Sequence, residues 1–309
     1  MCSKHNDNSN SYSDGYDGPG ITANERLLKK PLYQIVEESI KSANIHLIGQ
    51  CNMHCAFCFD RCLPKAFMEP REWVPVLDHL KRLGIEKINL AGGEPTLYPY
   101  LDEMVDIIKS YGFTVSIVSN GSQIDEDFLI EYAGRISWIG LSLDSPDEED
   151  EILIGRHAKG HSHINHVCEI TKAARKLGYK IKINITVTRY AWNKDFKSLL
   201  KKLNPDRIKA FRALTLKDAN DDVEDSWSIT DEQFRHFRDN HDHVPGMVFE
   251  DNGDMVCTYL MFDPLGRWMV DSNRTKSFLP FEQLVREGLD SVLNIKGYYA
   301  RNAVYDWEA

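Results

Sequence analysis

Short apolar runs alternate with longer amphipathic segments along most of the chain, which predicts a repeated order of strand and helix. The predicted strands are Asn44–Gln50, Glu86–Ala91, Phe113–Ser119, Ile136–Leu143, Lys180–Val187 and Arg207–Leu214. Helical spacing predicts helices at Pro70–Leu83, Tyr100–Ser110, Glu126–Ala133, Ile164–Leu177 and Lys194–Leu203. Short connections in this order favour a parallel sheet covered by helices. We therefore expect an α/β fold with a partial (βα)6 TIM-like barrel, short of eight-stranded closure.

The pattern changes after about Asp218. An acidic loop and a helix, Thr230–Asn240, precede β-like runs at Met247–Glu250, Met255–Phe262 and Arg267–Val270. We interpret these runs as an antiparallel extension of the sheet. The expected organisation is a leading segment at 1–41, the barrel at 42–217 and a C-terminal extension at 218–309.

Composition narrows the classes of partner. At 309 residues and 42% apolar content the chain can bury a large core, and its net charge of −10 argues against binding a nucleic-acid polymer. Met1–Gly20 is polar and lacks an apolar signal region, so we expect it to be disordered. No stretch reaches the length of a membrane span, and no amphipathic helix precedes the first strand. We expect a soluble protein without a membrane partner.

Cysteines are concentrated at one place. Four of the seven lie between Cys51 and Cys62, which indicates metal binding in a reducing compartment such as the cytoplasm. Cys51, Cys55 and Cys58 form a C-x3-C-x2-C run directly after the first predicted strand. Three thiolates suit an iron–sulfur cluster that keeps one iron open for a ligand. Buried structural cysteines and a zinc site completed by Cys62 or His54 remain alternatives.

Polar motifs follow the next three predicted strands. Gly92-Gly93-Glu94-Pro95 offers a close backbone approach and a carboxylate acceptor, although Gly-Gly before Pro is often only a turn. Ser119 and Asn120 end the third strand, and Ser142 and Asp144 end the fourth. The ends of parallel strands meet at one face of a barrel, so these groups are expected to surround the cysteine loop.

Three lysines at the ends of their strands are predicted to point into the barrel, because residues two apart on a strand share a face. They occur in Lys87-Ile88-Asn89, in Lys182-Ile183-Asn184 and in Lys209-Ala210-Phe211. Each alone could be a solvated strand-end charge. Interior lysines are costly without a compensating anion, so the three together favour a basic cavity for a polyphosphate.

These motifs resemble the signature of radical S-adenosylmethionine enzymes, in which three cysteines hold a [4Fe–4S] cluster whose open iron binds S-adenosylmethionine. The resemblance places Phe57 at the aromatic position of the cysteine motif. It makes Gly92, Gly93 and Glu94 the methionine-binding turn and Arg156 a contact of the cofactor carboxylate. It further implies that Ser119, Asn120, Ser142 and Asp144 contact the ribose and methionyl parts of the cofactor.

Within that class the chain resembles the viperin family from about residue 42 to 262, through Leu153-Ile154-Gly155-Arg156, Leu203-Asn204-Pro205 and Thr258-Tyr259-Leu260. Viperins convert a ribonucleoside triphosphate (CTP, UTP or GTP) to its 3′-deoxy-3′,4′-didehydro analogue, a chain terminator in antiviral and antiphage defence. The resemblance makes Tyr259 a proton donor and implies that the C-terminal extension completes the nucleotide site. It assigns the substrate contacts to Asn44, Lys87, Asn89, Lys182, Asn184, Lys209 and Arg267.

The expected partners are therefore the nucleotide and a one-electron donor that the sequence does not identify, and we expect a monomer. One rival is a radical enzyme of another kind, such as a GTP-using cyclase of cofactor biosynthesis. Such a cyclase is expected to carry a second cysteine cluster, whereas only Cys257 follows Cys168 here. The other rival is a non-enzymatic iron–sulfur sensor, which would have no use for a basic interior.

Overall fold

Ten strands form one sheet in the computed structural model, which describes residues 40–157, 162–272, 274–289 and 293–307. The strands are β1 (Ser42–His46), β2 (Lys87–Ala91), β3 (Thr114–Ser119), β4 (Trp138–Ser142), β5 (Lys180–Val187), β6 (Arg207–Arg212), β7 (Met247–Glu250), β8 (Met261–Phe262), β9 (Trp268–Ser272) and β10 (Thr275–Leu279). Their hydrogen-bonded order is β10-β9-β8-β1-β2-β3-β4-β5-β6-β7. The α/β class, with a parallel sheet and antiparallel strands near the C-terminus, is confirmed.

The parallel part of the sheet is larger than predicted. β7 pairs parallel with β6, and β8 pairs parallel with β1. The runs expected to be antiparallel at Met247–Glu250 and Met255–Phe262 therefore extend the parallel sheet at its two ends. Among the described strands, antiparallel pairing joins β8 to β9 and β9 to β10. Within Met255–Phe262 only the last two residues are strand, because a capping box at Asp251 starts a short helix at Asn252.

Helices cover the sheet: α1 (Val74–Arg82), α2 (Leu101–Ser110), α3 (Glu126–Glu131), α4 (Glu148–Ile154), α5 (His163–Lys176), α6 (Lys197–Leu203), α7 (Asp231–His241), α8 (Asn252–Met255), α9 (Phe281–Glu287) and α10 (Ile295–Ala300). Turns of 3-10 helix lie at Pro70–Trp73, Pro95–Leu97 and Asp221–Ser226. The sequence patterns did not predict α4, which begins with four acidic residues that favour a helix N-terminus and is followed by the C-cap residue Gly155.

The segment expected to be disordered, Met1–Gly20, and the last two residues lie outside the described residues. Of the helices that are described, none has the length and apolar character needed to cross a membrane.

Apolar and polar side chains alternate along the strands, so the sheet has an apolar outer face and a polar inner face. Ile45 and Ile88 are fully buried between the sheet and the helices. Their neighbours Asn44 and Asn89 face the interior instead, where Asn89 Nδ2 donates to Asn44 Oδ1 at 2.9 Å and Ser116 Oγ donates to Asn89 Oδ1 at 2.7 Å. A barrel lined with polar side chains is suited to a ligand rather than to a solid apolar core.

Candidate functional site

The loop that carries the three cysteines, residues 51–58, follows β1 at the carboxyl end of the sheet. Its backbone is tied to the end of α4, because His54 N donates to Gly155 O at 3.2 Å and Ala56 N donates to Ile154 O at 3.0 Å. Cys58 N donates to Cys55 O at 3.1 Å, which turns the chain between the second and third cysteines. We call this segment the cysteine loop.

The thiols of the cysteine loop lie near enough to influence one another's titration. The pKa of Cys55 is raised to about 11 and that of Cys58 to about 12, chiefly by burial and in smaller part by nearby negative charges, which include the other thiolates of the loop. Such thiols stay protonated near neutral pH unless a metal centre replaces their protons. In the part of the chain that the structure describes, no three His, Cys, Asp or Glu side chains converge as a ready metal site. The donor set itself, three thiolates on one loop, fits an iron–sulfur cluster.

The two residues considered as a fourth zinc ligand, Cys62 and His54, are respectively hydrogen-bonded elsewhere and exposed. Cys62 Sγ lies 3.7 Å from the Phe59 carbonyl oxygen, to which it donates, and the His54 side chain is exposed. Structural zinc needs four protein ligands in a closed tetrahedron. The contacts of the loop therefore favour a cluster with three protein ligands over structural zinc.

Gly92 and Gly93 let the turn after β2 pack directly on the backbone that leads into the cysteine loop. A Cβ atom on Gly92 would lie 2.4 Å from Ile48 O, and one on Gly93 would lie 2.1 Å from Gln50 O. Gly92 also has φ +138°, which disfavours any other residue. Gly93 N and Glu94 N donate to those same two carbonyls at 2.7 and 2.8 Å. The two glycines therefore position the cysteine loop.

Glu94 links the ends of β2 and β3. Its carboxylate is fully buried and accepts hydrogen bonds from Thr96 N, Thr96 Oγ1, Ser119 Oγ and Asn120 N at 2.6–3.1 Å. Burial raises the pKa of Glu94, and these hydrogen bonds oppose the shift. Asn120 Nδ2 donates to Asn52 Oδ1 at 2.9 Å, so the β3 end also contacts the cysteine loop. The expected meeting of these motifs at one face is observed.

Asp144 and Arg156 form a buried ion pair beside the same loop. Arg156 Nε lies 2.5 Å from Asp144 Oδ2, and its guanidinium lies 5.9 Å from the centre of the Phe57 ring. Burial would lower the pKa of Arg156, but Asp144 raises it above its ordinary value. The other Asp144 oxygen accepts from Thr186 N at 2.6 Å, while Glu151 accepts from Asp144 N. Ser142, two residues earlier at the end of β4, pairs in register with Asn184.

The predicted lysines do converge inside the barrel, but they lie at the beginning and middle of their strands rather than at the ends. Lys87 is the first residue of β2, whereas Lys182 and Lys209 are the third residues of β5 and β6. Burial lowers the pKa of all three lysines, and repulsion from neighbouring cations lowers it further. The pKa of Lys182 falls to about 8. We call this group, with Arg207 and Arg301, the basic cavity.

Tyr259 and Glu250 lie within the basic cavity. Lys209 Nζ lies 2.6 Å from both Tyr259 Oη and Glu250 Oε1, and Tyr259 donates to Glu250 through its hydroxyl. The Arg301 guanidinium lies 3.7 Å from the centre of the Tyr259 ring. Burial raises the pKa of Tyr259 well above its ordinary value, so the phenol keeps its proton at neutral pH. Burial opposes ionisation of Glu250, but Lys209 and Arg301 lower its pKa.

The basic cavity contains positive charge that is not fully compensated and a polar atom without a hydrogen-bond partner among the described residues. The five cations Lys87, Lys182, Arg207, Lys209 and Arg301 face one another, and Glu250 compensates only part of their charge. Asn184 Oδ1, on the same face of β5 as Lys182, is buried without a hydrogen-bond partner among the described residues. Buried polar atoms are rarely left unpaired. A bound ligand with both negative charge and a donor group would satisfy this site.

The C-terminal segment, residues 301–307, closes the amino end of the barrel. Tyr305 Oη accepts from Lys87 Nζ at 2.6 Å, and the rings of Trp138, Tyr305 and Trp307 all lie within 5.5 Å of that nitrogen. Trp138 Nε1 donates to Trp307 O at 3.1 Å. Because these rings shield Lys87 from water, its charge would interact strongly with an anion in the cavity.

Comparison with known proteins identifies the family of this chain. The model of the radical SAM superfamily matches residues 45–203. An S-adenosylmethionine-dependent nucleotide dehydratase from Thermoplasmatales archaeon (strain ISO4-H5) is 56% identical over 86% of this chain and 96% of its own length. S-adenosylmethionine-dependent nucleotide dehydratase RSAD2 from Oncorhynchus mykiss is 30% identical over 83% of this chain and 76% of its own length. The chain belongs to the S-adenosylmethionine-dependent nucleotide dehydratase family of radical SAM enzymes.

Solved structures agree on the fold of this dehydratase family member. SuiB of Streptococcus suis bound to S-adenosylmethionine has a TM-score of 0.61 and 16% identity, over 85% of this chain and 68% of that one. The structure of anSMEcpe with bound AdoMet and a peptide has a TM-score of 0.57 and 18% identity, over 75% and 74%. Membership of the radical SAM superfamily supports S-adenosylmethionine and, in general terms, an iron–sulfur cluster as the cofactors.

Not every predicted residue of the dehydratase joins the site. Arg267 lies in the turn between β8 and β9, where its Nε and Nη2 bind Asp263 Oδ2 at 2.8 and 2.5 Å and its guanidinium packs on Phe278. The structure therefore does not bring Arg267 to the lysines. A turn arginine paired to a buried carboxylate stabilises the turn, which is a sufficient reason for its position.

Three residues of the basic cavity were not predicted. Arg207 lies two positions before Lys209 on β6, so the two-residue period of a strand could have placed both on the inner face. Glu250 ends β7 and Arg301 follows α10, and neither carries a local sequence signal of its position. Their part in the cavity depends on pairing between segments that are far apart in the chain.

Proposed function

We propose that this enzyme removes water from a ribonucleoside triphosphate, CTP, UTP or GTP, to give the 3′-deoxy-3′,4′-didehydro nucleotide. The observation that carries the proposal is the basic cavity, in which five cations face one carboxylate and one buried phenol. A triphosphate supplies the negative charge that such a cavity lacks. The nucleotide dehydratase names of the relatives support the same reaction class.

Residues at the carboxyl ends of the strands would bind the cofactors. Cys51, Cys55 and Cys58 would hold a [4Fe–4S] cluster, and the turn of Gly92, Gly93 and Glu94 adjoins their loop. Around S-adenosylmethionine we place the side chains that meet at this face, namely Phe57, Ser119, Asn120, Ser142, Asp144 and Arg156. When bound and given one electron, these cofactors would supply a 5′-deoxyadenosyl radical for removal of the 4′ hydrogen of a ribose.

The protein's part in the reaction is to hold the ribose against the cofactor and to protonate the leaving group. Lys87, Lys182 and Lys209 would bind the triphosphate and fix the depth of the nucleotide in the barrel. Inner-face amides, Asn44, Asn89 and Asn184, are the proposed neutral contacts of the nucleotide. Tyr259 would give its proton to the departing 3′ hydroxyl, which leaves as water, and a second electron completes the product.

The C-terminal extension, 218–309, would complete the nucleotide site, since Glu250, Tyr259, Arg301 and Tyr305 all contribute to it. We expect the enzyme to act in the cytoplasm, where thiols stay reduced, and to make a chain terminator for antiviral or antiphage defence. A cyclase of cofactor biosynthesis is less favoured because the sequence holds no second cysteine cluster. A sensor protein would not need cations inside the barrel.

The proposed function predicts both a product and an isotope transfer. Under anaerobic conditions with dithionite and S-adenosylmethionine, the preferred ribonucleotide should strongly accelerate formation of 5′-deoxyadenosine. The nucleotide should lose the mass of one water, and deuterium at C4′ should appear in 5′-deoxyadenosine while label at C3′ stays in the nucleotide. We expect CTP to be preferred, with UTP and GTP next. The proposal is wrong if none of the four ribonucleotides changes mass or stimulates cofactor cleavage.

Lys182 provides a test of the phosphate site with a defined pH dependence. Lys182→Ala should raise the KM for the nucleotide about tenfold or more at pH 7, because one charge-assisted contact contributes about 1.5–3 kcal/mol. Since the pKa of Lys182 is lowered to about 8, its charge is present below that pH and is lost above it. The variant and the original enzyme should therefore differ much less at pH 9.5.

The control for this measurement is Lys201→Ala, which removes an exposed lysine of α6. It should leave the nucleotide KM unchanged at both pH values, and the affinity for S-adenosylmethionine should stay constant in both variants. A nucleotide KM that does not respond to Lys182→Ala at pH 7 would remove this lysine from the phosphate site.

A further inference from the structure

Four titratable side chains, His46, Asp60, Asp271 and Lys276, lie together next to the cysteine loop, and the proposed reaction uses none of them. His46 is the last residue of β1, and Asp60 follows Cys58 by two positions. Asp271 and Lys276 face each other across the β9–β10 hairpin. The group therefore joins the chain just after the third cysteine to the C-terminal antiparallel strands.

Lys276 contacts the two residues that directly follow Cys58. Its Nζ lies 2.9 Å from Asp60 Oδ1, donates to the Phe59 carbonyl oxygen at 3.1 Å and lies 4.4 Å from the centre of the Phe59 ring. Only 2% of the Lys276 side chain is exposed. Three separate interactions thus hold one short stretch of chain, which is more than a surface ion pair provides.

Two further titratable side chains, His46 and Asp271, lie on either side of the Lys276–Asp60 pair. His46 Nδ1 lies 3.2 Å from Asp60 Oδ2, although not in hydrogen-bond alignment. On the other side, burial raises the pKa of Asp271, whose Oδ1 has no hydrogen-bond partner among the described residues. The ion pair of Lys276 with Asp60 is thus well defined by geometry and charge.

We propose that Lys276 and Asp60 are positioning residues for the iron–sulfur cluster, because their contacts fix the chain that follows Cys58 and so the place of the third thiolate. This rests on the cluster assignment of the proposed function. The first part of the cysteine loop is held by backbone bonds from His54 and Ala56 to the end of α4. Lys276 supplies the corresponding anchor after the third cysteine. A buried ion pair stabilises little relative to apolar packing, which favours a positional role.

The test measures the cluster itself, without nucleotide. In Lys276→Met the reconstituted protein should lose iron to a chelator about tenfold or more faster than the original protein, as expected when a charge-assisted hydrogen bond is removed. The spectrum of the reduced cluster by electron paramagnetic resonance should also broaden or shift. Lys276→Arg should restore most of the retention. The control, Arg274→Gln, removes an exposed arginine of the same hairpin that lies 3.7 Å from Glu224, and it should change neither quantity.

A double variant, Asp60→Asn with Lys276→Met, separates positioning from the cost of one unpaired buried charge. It removes both charges of the pair, so it should fold even if Lys276→Met does not. Fast iron release and an altered spectrum in the folded double variant support the proposal. If either variant retains iron as well as the original protein does, the proposal is wrong. Because no nucleotide is present, the proposed dehydration can fail while this result stands, and the reverse also holds.

Discussion

Cys55→Ala is expected to fold and yet to bind no iron–sulfur cluster. Cys55 is the most buried thiol of the three, and it lies in an apolar cluster with Met53, Phe57, Ile154 and Trp227. Alanine fills part of that space, so the surrounding core should persist. A cluster with two protein thiolates has lost a third of its anchors. Iron and sulfide per chain, with the visible absorbance of reconstituted protein, measure the loss.

The matched controls are Cys62→Ala and Cys168→Ala. Cys62 lies four positions after Cys58, but its thiol donates to the Phe59 carbonyl oxygen, and Cys168 lies in α5. Both variants should load iron as the original protein does. Full iron in Cys55→Ala, or one zinc per chain in protein purified without oxygen, would contradict the assignment.

Tyr259→Phe is expected to lower the rate of nucleotide dehydration about 10²- to 10⁴-fold, the range for losing a general acid. The substitution keeps the ring that stacks on Arg301, and it leaves the direct contact of Lys209 with Glu250 at 2.6 Å. Binding of the cofactor and the nucleotide should therefore change little. The rate of dehydration is measured in quenched single-turnover experiments, in which the nucleotide product is analysed by mass spectrometry.

The step that Tyr259 serves can be identified in the same experiment. If the phenol protonates the leaving hydroxyl, abstraction of the 4′ hydrogen precedes the step that needs Tyr259. The variant should therefore still carry out the abstraction. Tyr259→Phe should then still form 5′-deoxyadenosine that carries deuterium from C4′, without the dehydrated nucleotide. The control Tyr98→Phe removes another buried hydroxyl, which donates to Met68 O at 2.7 Å outside the basic cavity, and should leave the rate unchanged. An undiminished dehydration rate in Tyr259→Phe would exclude the phenol as the acid.

The fold could be predicted where strands and helices alternate with clear periods. β2 through β6 were predicted to within a few residues, since apolar outer positions repeat there at strand spacing. β7 and β8 were predicted as β structure but with the wrong direction. A four-residue and a two-residue strand carry no pattern that fixes their partners, so only the three-dimensional pairing with β6 and β1 reveals them as parallel.

The site could be predicted to the extent that its residues stand in local motifs. The cysteines, the Gly92-Gly93-Glu94 turn and the inner-face lysines each have a spacing that indicates their position. Arg267 was assigned to the substrate site from its position in the sequence, and this assignment was not supported. Its partner Asp263 lies only four residues earlier and holds it in a turn. Glu250 and Arg301 show the opposite limit, because a buried carboxylate and its cation from separate elements have no common sequence signal.

The pairing of β8 with β1 has a consequence for how the chain folds during synthesis. Ile45 meets Phe262 in register, so roughly 200 residues must follow β1 before its outer edge finds a partner. At the usual pace of translation this takes roughly 10–40 s. During that time one edge of a growing parallel sheet presents open N–H and C=O groups, a common starting point for aggregation. Expression at lower temperature, or with chaperones that shield open strands, should therefore raise the yield of folded enzyme more than changes near the cysteine loop would.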